Sequence, residues 1–371
     1  ADASMLTVWD TASPASPRPP GSESPSSARE PLLSAGPTPR RRAEDFPAVL
    51  SDTVEVSGRP VEVFNDEFLS KLRQLHGISD SFLNSDKENS VDFGNARSES
   101  KLGKGGEAQY EPRDARFVIK SISGDDHLSL LMRAESYVER QLGGECLIVP
   151  IYLHFRLPST KKTYIAMRNL TPDKSSWSAK YDLKGCADDK TLMLDGKMVE
   201  PIHKRFYRVD MWCSCTWTEK RWQYYDGKVR ARALQLQFPP QQRDEIVRLI
   251  EGDADWLVEQ GLMDYSLFVA IRRMPANQLE ATEATNGNHA AQPVRQYTMI
   301  EGAEAVLVTI GIIDFLQPWT AAKKVARCIK SLEFNKATIP PPAYGARFKR
   351  HFAERFKGDE RLASVSPKAA V

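Results

Sequence analysis

Three strand-like, largely apolar runs in this chain each carry one charge that a buried strand would not tolerate alone: Lys120 in FVIK, Asp264 in LMDYSLF and Asp314 in IGIIDFL. Runs of this kind must be buried, yet an isolated ammonium or carboxylate is expensive to bury unless it finds a partner. Any fold open to this sequence therefore has to bring each charge to a counter-ion, a metal or a ligand. For one residue taken alone, a satisfied ion pair in the core is the competing explanation. The set is more informative than its members. Phosphoryl transfer from a nucleotide needs a cation on the non-transferred phosphates, a carboxylate for Mg2+, and a second carboxylate beside the attacking hydroxyl.

The rest of the composition allows a globular scaffold for such a site. The 371 residues are 41% hydrophobic and 27% charged, enough to bury a sizeable core without disulfides or metals. A formal net charge of +2 argues against a generic nucleic-acid coat, and no nucleic-acid partner is expected. No run of about 20 apolar residues is present, the length a membrane-spanning helix needs. The odd set of cysteines (Cys146, Cys186, Cys213, Cys215, Cys328) reads as reduced thiols of an intracellular protein. Cys213 and Cys215 lack the second pair that a structural zinc site wants. Because the chain opens on Ala rather than Met, a piece of a longer protein is expected.

Residues 1–50, rich in Pro, Ser and Arg, are expected to be disordered. Order is expected from about Val54, where VEVSGRPVEVF reads as one short strand. DEFLSKLRQLHG then reads as a helix with Phe68, Leu72 and Leu75 on its apolar face and Gly77 as its stop. A strand follows at 115–122, a helix at 127–142 with a face through Leu128, Leu131, Val138 and Leu142, and two strands at 147–157 and 162–170. YDLKGC (181–186) reads as a strand running into a Gly turn, and 200–232 as a basic, Trp-rich stretch without a clear period. A helix or helix pair is expected at 239–261, strands at 263–271 and 305–316, a loop insertion at 273–300, an amphipathic segment at 321–334 and a tail at 358–371.

LGKGGEAQ (102–109), just ahead of the Lys120 strand, is the kind of Gly turn whose N–H groups can approach phosphate, although it matches no P-loop or dinucleotide fingerprint. Taken in order, FLSKLRQLHGISDSFLNS, LGKGGEAQYEPRDARFVIKSI, YIAMRNL, YDLKGC, MDYSLFVAI, IGIIDFLQPW and AYGARFKRHF resemble the phosphatidylinositol phosphate kinase family over roughly residues 60–357. MDYSL, DLKG and IIDxL carry most of that resemblance. A protein kinase would show HRD and APE, which are absent; a DFG string at Asp92–Gly94 precedes Lys120 and reads as chance.

The resemblance implies an α+β, two-lobed lipid-kinase fold distantly related to protein kinases, with antiparallel sheets and flanking helices. It places the catalytic domain at 54–357, with an N-lobe of about 54–170 and a C-lobe of about 171–357. It implies ATP and Mg2+ as cofactors. Lys120 is expected on the ATP phosphates, Asp314 on Mg2+, and Asp264 at the inositol hydroxyl and on the same metal. Gly103, Lys104, Gly105 and Gly106 would cover the nucleotide, Met167 and Asn169 would line the adenine pocket, and Lys184 would help hold phosphate.

Lipid contact has its own physical argument. Between residues 320 and 357 there are ten Lys or Arg and only two acids, Glu333 and Glu354. In AAKKVARCIKSL the apolar Val325, Ile329 and Leu332 share one helical face, beside Lys323, Arg327 and Lys330, a pattern suited to anionic headgroups. Lys323 and Lys324 match the family's paired lysines. Anionic phosphoinositides are the expected partners and the cytosolic face of a membrane the expected location. The working assignment is phosphorylation of phosphatidylinositol 4-phosphate at position 5. Ala326 leans instead towards the branch that phosphorylates the 5-phosphate at position 4. Cys186, Ala187 and Glu107 depart from the family pattern and keep open a weakly active or inactive lipid-binding scaffold. A soluble inositol phosphate kinase is the third reading.

Overall fold

The structure, a computed structural model, describes residues 49–83, 109–110, 115–158, 161–172, 177–201, 218–278, 294–301, 303–320 and 338–364. Residues 1–48 of the segment expected to be disordered, the Gly loop at Gly103, Lys104, Gly105 and Gly106, and the basic residues Lys323, Lys324, Arg327 and Lys330 lie outside them, whereas Val49 and Leu50, expected to be disordered, already belong to a strand.

The N-terminal sheet begins with β1 (Val49–Val56) and β2 (Arg59–Val63). The sequence reading had one strand here. Ser57 and Gly58 both take positive φ, which splits it into a hairpin of the tight-turn kind. Next come α1 (Asp66–Leu75), β3 (Gln109–Tyr110), β4 (Phe117–Ser121), α2 (Gly124–Leu142), β5 (Ile151–Arg156) and β6 (Thr163–Arg168). The strands form one antiparallel sheet in the order β1-β2-β5-β6-β4-β3.

The buried faces of the two helices differ from expectation by one position. α1 buries Leu69, Leu72 and Arg73 while Leu75 stays exposed. Arg73 can be buried because Asp66, Asp80 and the Tyr152 carbonyl accept its N–H groups at 2.7–3.0 Å. α2, capped by the Ser123 hydroxyl, buries Leu130, Leu131, Ala134, Tyr137 and Val138 and leaves Leu142 exposed.

The second sheet holds the rest: β7 (Ala179–Leu183), β8 (Lys190–Leu194), β9 (Lys197–Met198), β11 (Ser266–Pro275), β12 (Arg295–Glu301), β13 (Glu304–Ile313) and β15 (Ala363–Ser364). Their order is β15-β12-β13-β11-β7-β8-β9, again antiparallel. Flanking it are α3 (Glu219–Ala233), α4 (Pro240–Glu259) and α5 (Pro341–Arg355), with a short parallel pair of β10 (Leu236–Phe238) and β14 (Phe356–Gly358). Two expectations are corrected: residues 219–232 of the stretch read as aperiodic are helical, and the insertion narrows because 273–275 extend β11 and 295–300 belong to β12, while of the helix or helix pair expected at 239–261 the structure has the single helix α4.

The two sheets meet through main chain as well as side chains. Val149 N–H donates to the Ile312 carbonyl at 3.0 Å, and Ile312 N–H donates to Leu147 at 2.7 Å. Tyr137 of α2 stacks on Phe315 with ring centres 5.6 Å apart. Arg133 and Arg140 of α2 reach the Gln260 carbonyl at 2.9 Å and the Asp253 carboxylate at 2.7 Å. The end of β13 is thus fixed to the first lobe, and Asp314 follows directly.

Candidate active site

The second sheet alone brings three of the sequence-selected residues together. In the register of β7, β11 and β13, Leu267 lies opposite both Leu183 and Ile312, and Ser266 opposite Ile313. Lys184 is the residue after β7, Asp264 lies just before β11, and Asp314 is the residue after β13. All three therefore emerge at one edge of adjacent strands. The sequence reading had placed the two aspartates within strands. Instead each sits at a strand mouth with a positive φ, 65° for Asp264 and 57° for Asp314. The left-handed region costs a non-glycine residue about 1–2 kcal/mol and is best tolerated by Asp and Asn. Two such residues at one sheet edge are strain of the kind that persists at functional sites.

Lys120 comes from the other sheet. It sits in the middle of β4, opposite Gln109 and Ile165, and its Nζ lies 2.8 Å from Asp314 Oδ1. Lys184 Nζ lies 2.7 Å from Asp264 Oδ1 and also donates to the Asp264 carbonyl. A third pair, which sequence reasoning missed, lies between them. Asp182 of β7 faces Lys190 of β8 in register, with 2.8 Å between Oδ2 and Nζ. The signal was available: Asp182 is also a lone carboxylate in an apolar strand, KYDL, and the same burial argument applies.

Electrostatics join the three pairs into one cluster. Burial alone would raise the Asp314 carboxyl, but Lys120, with help from Lys184, holds it below the usual range. Burial would likewise raise Asp182, and Lys190 and Lys184 bring it down to about 2. Desolvation would discharge Lys184, whereas Asp264 and Asp182 raise its affinity for the proton. For Lys190 the neighbouring Asp182 charge is the largest influence and raises it. Asp314, Asp182, Lys184 and Lys190 are thus each held in their charged form by oppositely charged neighbours. The Asp314 side chain is 43% exposed, so the cluster opens to solvent on that side.

The two residues expected to line the adenine pocket fare differently. Met167 lies in β6 between β4 and β5, nearly buried. The Asn169 side chain is committed to main chain: its amide donates to the Ala115 carbonyl at 2.7 Å and its oxygen accepts from Thr171 N–H at 3.0 Å. Asn169 thereby ties the segment leaving β6 to the residues just ahead of β4.

The DLKG turn lacks a hydroxyl here, and other atoms stand in for it. Cys186 Sγ accepts from Asp188 N–H at 3.4 Å, and Asp189 Oδ1 accepts from Lys184 N–H at 2.6 Å and Cys186 N–H at 3.2 Å. Behind the site, Tyr344 of α5 donates its hydroxyl to the Tyr265 carbonyl, tying the closing helix to the residue after Asp264.

Comparison with known proteins gives the family. The sequence model of the phosphatidylinositol-4-phosphate 5-kinase family matches residues 93–355. A phosphatidylinositol 4-phosphate 5-kinase of Schizosaccharomyces pombe is 31% identical over 173 residues, covering 46% of this chain and 21% of that protein. A protein of the same name from Plasmodium falciparum is 23% identical over 275 residues, covering 66% of this chain and 15% of that protein. Phosphatidylinositol 4-phosphate 5-kinase 5 of Arabidopsis thaliana is 23% identical over 321 residues, covering 70% and 38%. The chain therefore spans well under half the length of each of these relatives. With the family match covering most of its length and the Lys120, Asp264 and Asp314 cluster assembled within it, the chain belongs to the phosphatidylinositol phosphate kinase family.

Proposed function

We propose that the chain transfers the γ-phosphoryl group of ATP to the 5-hydroxyl of phosphatidylinositol 4-phosphate. The observation that carries this reading is the convergence of Lys120, Lys184, Asp264 and Asp314, drawn from two sheets, at one solvent-open cluster. The ring position is supported by the names of the three relatives. Ala326, which leans the other way, lies outside the described residues.

The donor set suits Mg2+. This hard cation usually takes one or two protein carboxylates and completes its octahedron with phosphate and water oxygens. Asp314 and Asp264 supply those carboxylates. When bound, the ion neutralises charge on the phosphoryl oxygens. Lys120 sets a second cation against the non-transferred phosphates. Asp264 stands at the inositol hydroxyl and takes its proton as the oxygen bonds to phosphorus and the bond to ADP breaks. Lys184 orients Asp264 through their ion pair, and the Asp182–Lys190 pair keeps the surroundings of Lys184 charged. Most of the rate gain then comes from positioning and fixed charge.

Lys323, Lys324, Arg327 and Lys330 form the contact to anionic headgroups in this reading, with the protein peripheral at the cytosolic face of a membrane. No helix among the described residues is long and apolar enough to cross one. The test is incubation with ATP and each monophosphorylated phosphoinositide, with the product ring position identified. Asp314→Asn tolerates the positive φ and is expected to lower kcat at least ~100-fold while the protein stays folded. Near-native activity in that variant would remove Asp314 from the mechanism.

A further inference from the structure

We propose that Asp189 is a positioning residue for phosphoryl transfer: its carboxylate closes the turn that aims Lys184 at Asp264. The proposal rests on the kinase reading above and adds to it a residue outside the reacting set.

Asp189 is 1% exposed. A carboxylate that deep is costly, and burial raises its proton affinity accordingly. The usual return would be an ion pair, yet no lysine or arginine forms one with it among the described residues. The nearest cationic candidate is the His351 ring, with Nε2 3.9 Å from Oδ2, and Oδ2 has no hydrogen-bond partner there. Burial holds His351 itself down at about 4, so the ring is neutral near pH 7.

What Asp189 does bind is main chain. Its Oδ1 accepts from Lys184 N–H at 2.6 Å and from Cys186 N–H at 3.2 Å, and its own N–H donates to the Cys186 carbonyl at 3.1 Å. Residues 184–189 thus form a closed loop with one carboxylate oxygen at its centre. The alternative cap is weak, because thiol sulfur is a poor acceptor and Cys186 Sγ serves a different N–H, that of Asp188.

The turn has little freedom elsewhere. Gly185 has φ 67°, and a Cβ there would meet His351 Cβ and Cγ at 3.1 Å, so α5 presses on the back of the loop. The residue whose N–H Asp189 holds most tightly is the one whose ammonium meets Asp264. Releasing that N–H lets the Lys184 backbone rotate and carries its ammonium off the catalytic carboxylate. Displacements of about 1 Å at a reacting centre can cost about 100-fold in rate.

Geometry and charge are separated by three substitutions in the full chain. Asp189→Asn keeps an acceptor oxygen in place without the charge. Asp189→Glu keeps the charge and moves the acceptor by one methylene, and Asp189→Ala removes both. Lipid phosphorylation by Asp189→Asn should stay within about 3-fold of wild type, while Asp189→Ala and Asp189→Glu should lose at least about 10-fold in kcat. Amide hydrogen exchange at Lys184 and Cys186 should speed up in the Ala and Glu variants alone. The proposal is overturned if Asp189→Asn is as impaired as Asp189→Ala, or if Asp189→Ala keeps wild-type kcat. A wild-type chain that phosphorylates no lipid sinks the kinase reading separately, and the exchange comparison then decides whether Asp189 holds the Lys184 turn.

Discussion

Asp253 offers the sharpest test of how the two lobes are held. It sits in α4 with no exposed surface. Arg140 of α2 donates Nε and Nη2 to its Oδ1 at 3.0 and 2.7 Å, while Leu147 N–H donates to Oδ2 at 2.6 Å. One carboxylate therefore joins the helix of the first lobe, the segment leading into β5, and the helix of the second lobe. Asp253→Ala strands the guanidinium and leaves a buried N–H without an acceptor. Breaking a buried pair from one side costs about 3–5 kcal/mol. Arg140 is 25% exposed and can partly rehydrate, which favours the lower end of that range. At about 2 °C per kcal/mol for a chain of this size, the melting temperature should fall by about 6–10 °C. Chemical denaturation and calorimetry of Asp253→Ala, Arg140→Gln and the double variant would measure the coupling between the two side chains. Because Leu147 accepts from Ile312 N–H, two residues before Asp314, kcat should fall as well, more than nucleotide affinity. A stability loss under about 1 kcal/mol, or fully additive single effects, would refute the strut.

The buried His127–His154 pair, joined at 2.8 Å, gives a pH signature. Burial, with Arg156 nearby, pulls His127 down to about 4, so on acidification the unfolded chain takes up its proton first. The stability due to the neutral ring is complete above about pH 6.5 and is lost as pH falls towards 4, about 3 kcal/mol in all. Denaturation curves for His127→Gln should be flatter across that window by about this amount, and an unchanged slope would exclude His127 as the cause. A Cβ at Gly345, in α5, would lie 2.5 Å from Val258 Cγ2. Gly345→Ala should therefore destabilise by about 1–3 kcal/mol despite its better helix propensity, and a gain in melting temperature would contradict the close helix contact.

The sequence alone picked out the charges that the fold has to partner. Lone charges at Lys120, Asp264 and Asp314 within apolar runs cannot be buried unpartnered, and that constraint is local enough to be read from the chain. Strand alternation and helical spacing likewise exposed most of the elements, because periodicity is set by backbone geometry. Where two phases are nearly equivalent, neighbours decided. α1 buries Leu69 and Arg73 rather than Leu75 because Asp66, Asp80 and Tyr152 stand ready to bond the arginine. α3 was missed because its buried face is built from Tyr224, Gly227, Lys228 and Ala231, too polar and small to mark a stripe. The pairings themselves were decided only by tertiary structure. Lys120 meets Asp314 across 194 positions and Lys184 meets Asp264 across 80. Which lysine serves which aspartate depends on strand order and register, and those follow from packing the two sheets together, summed over many contacts that no single stretch of sequence contains.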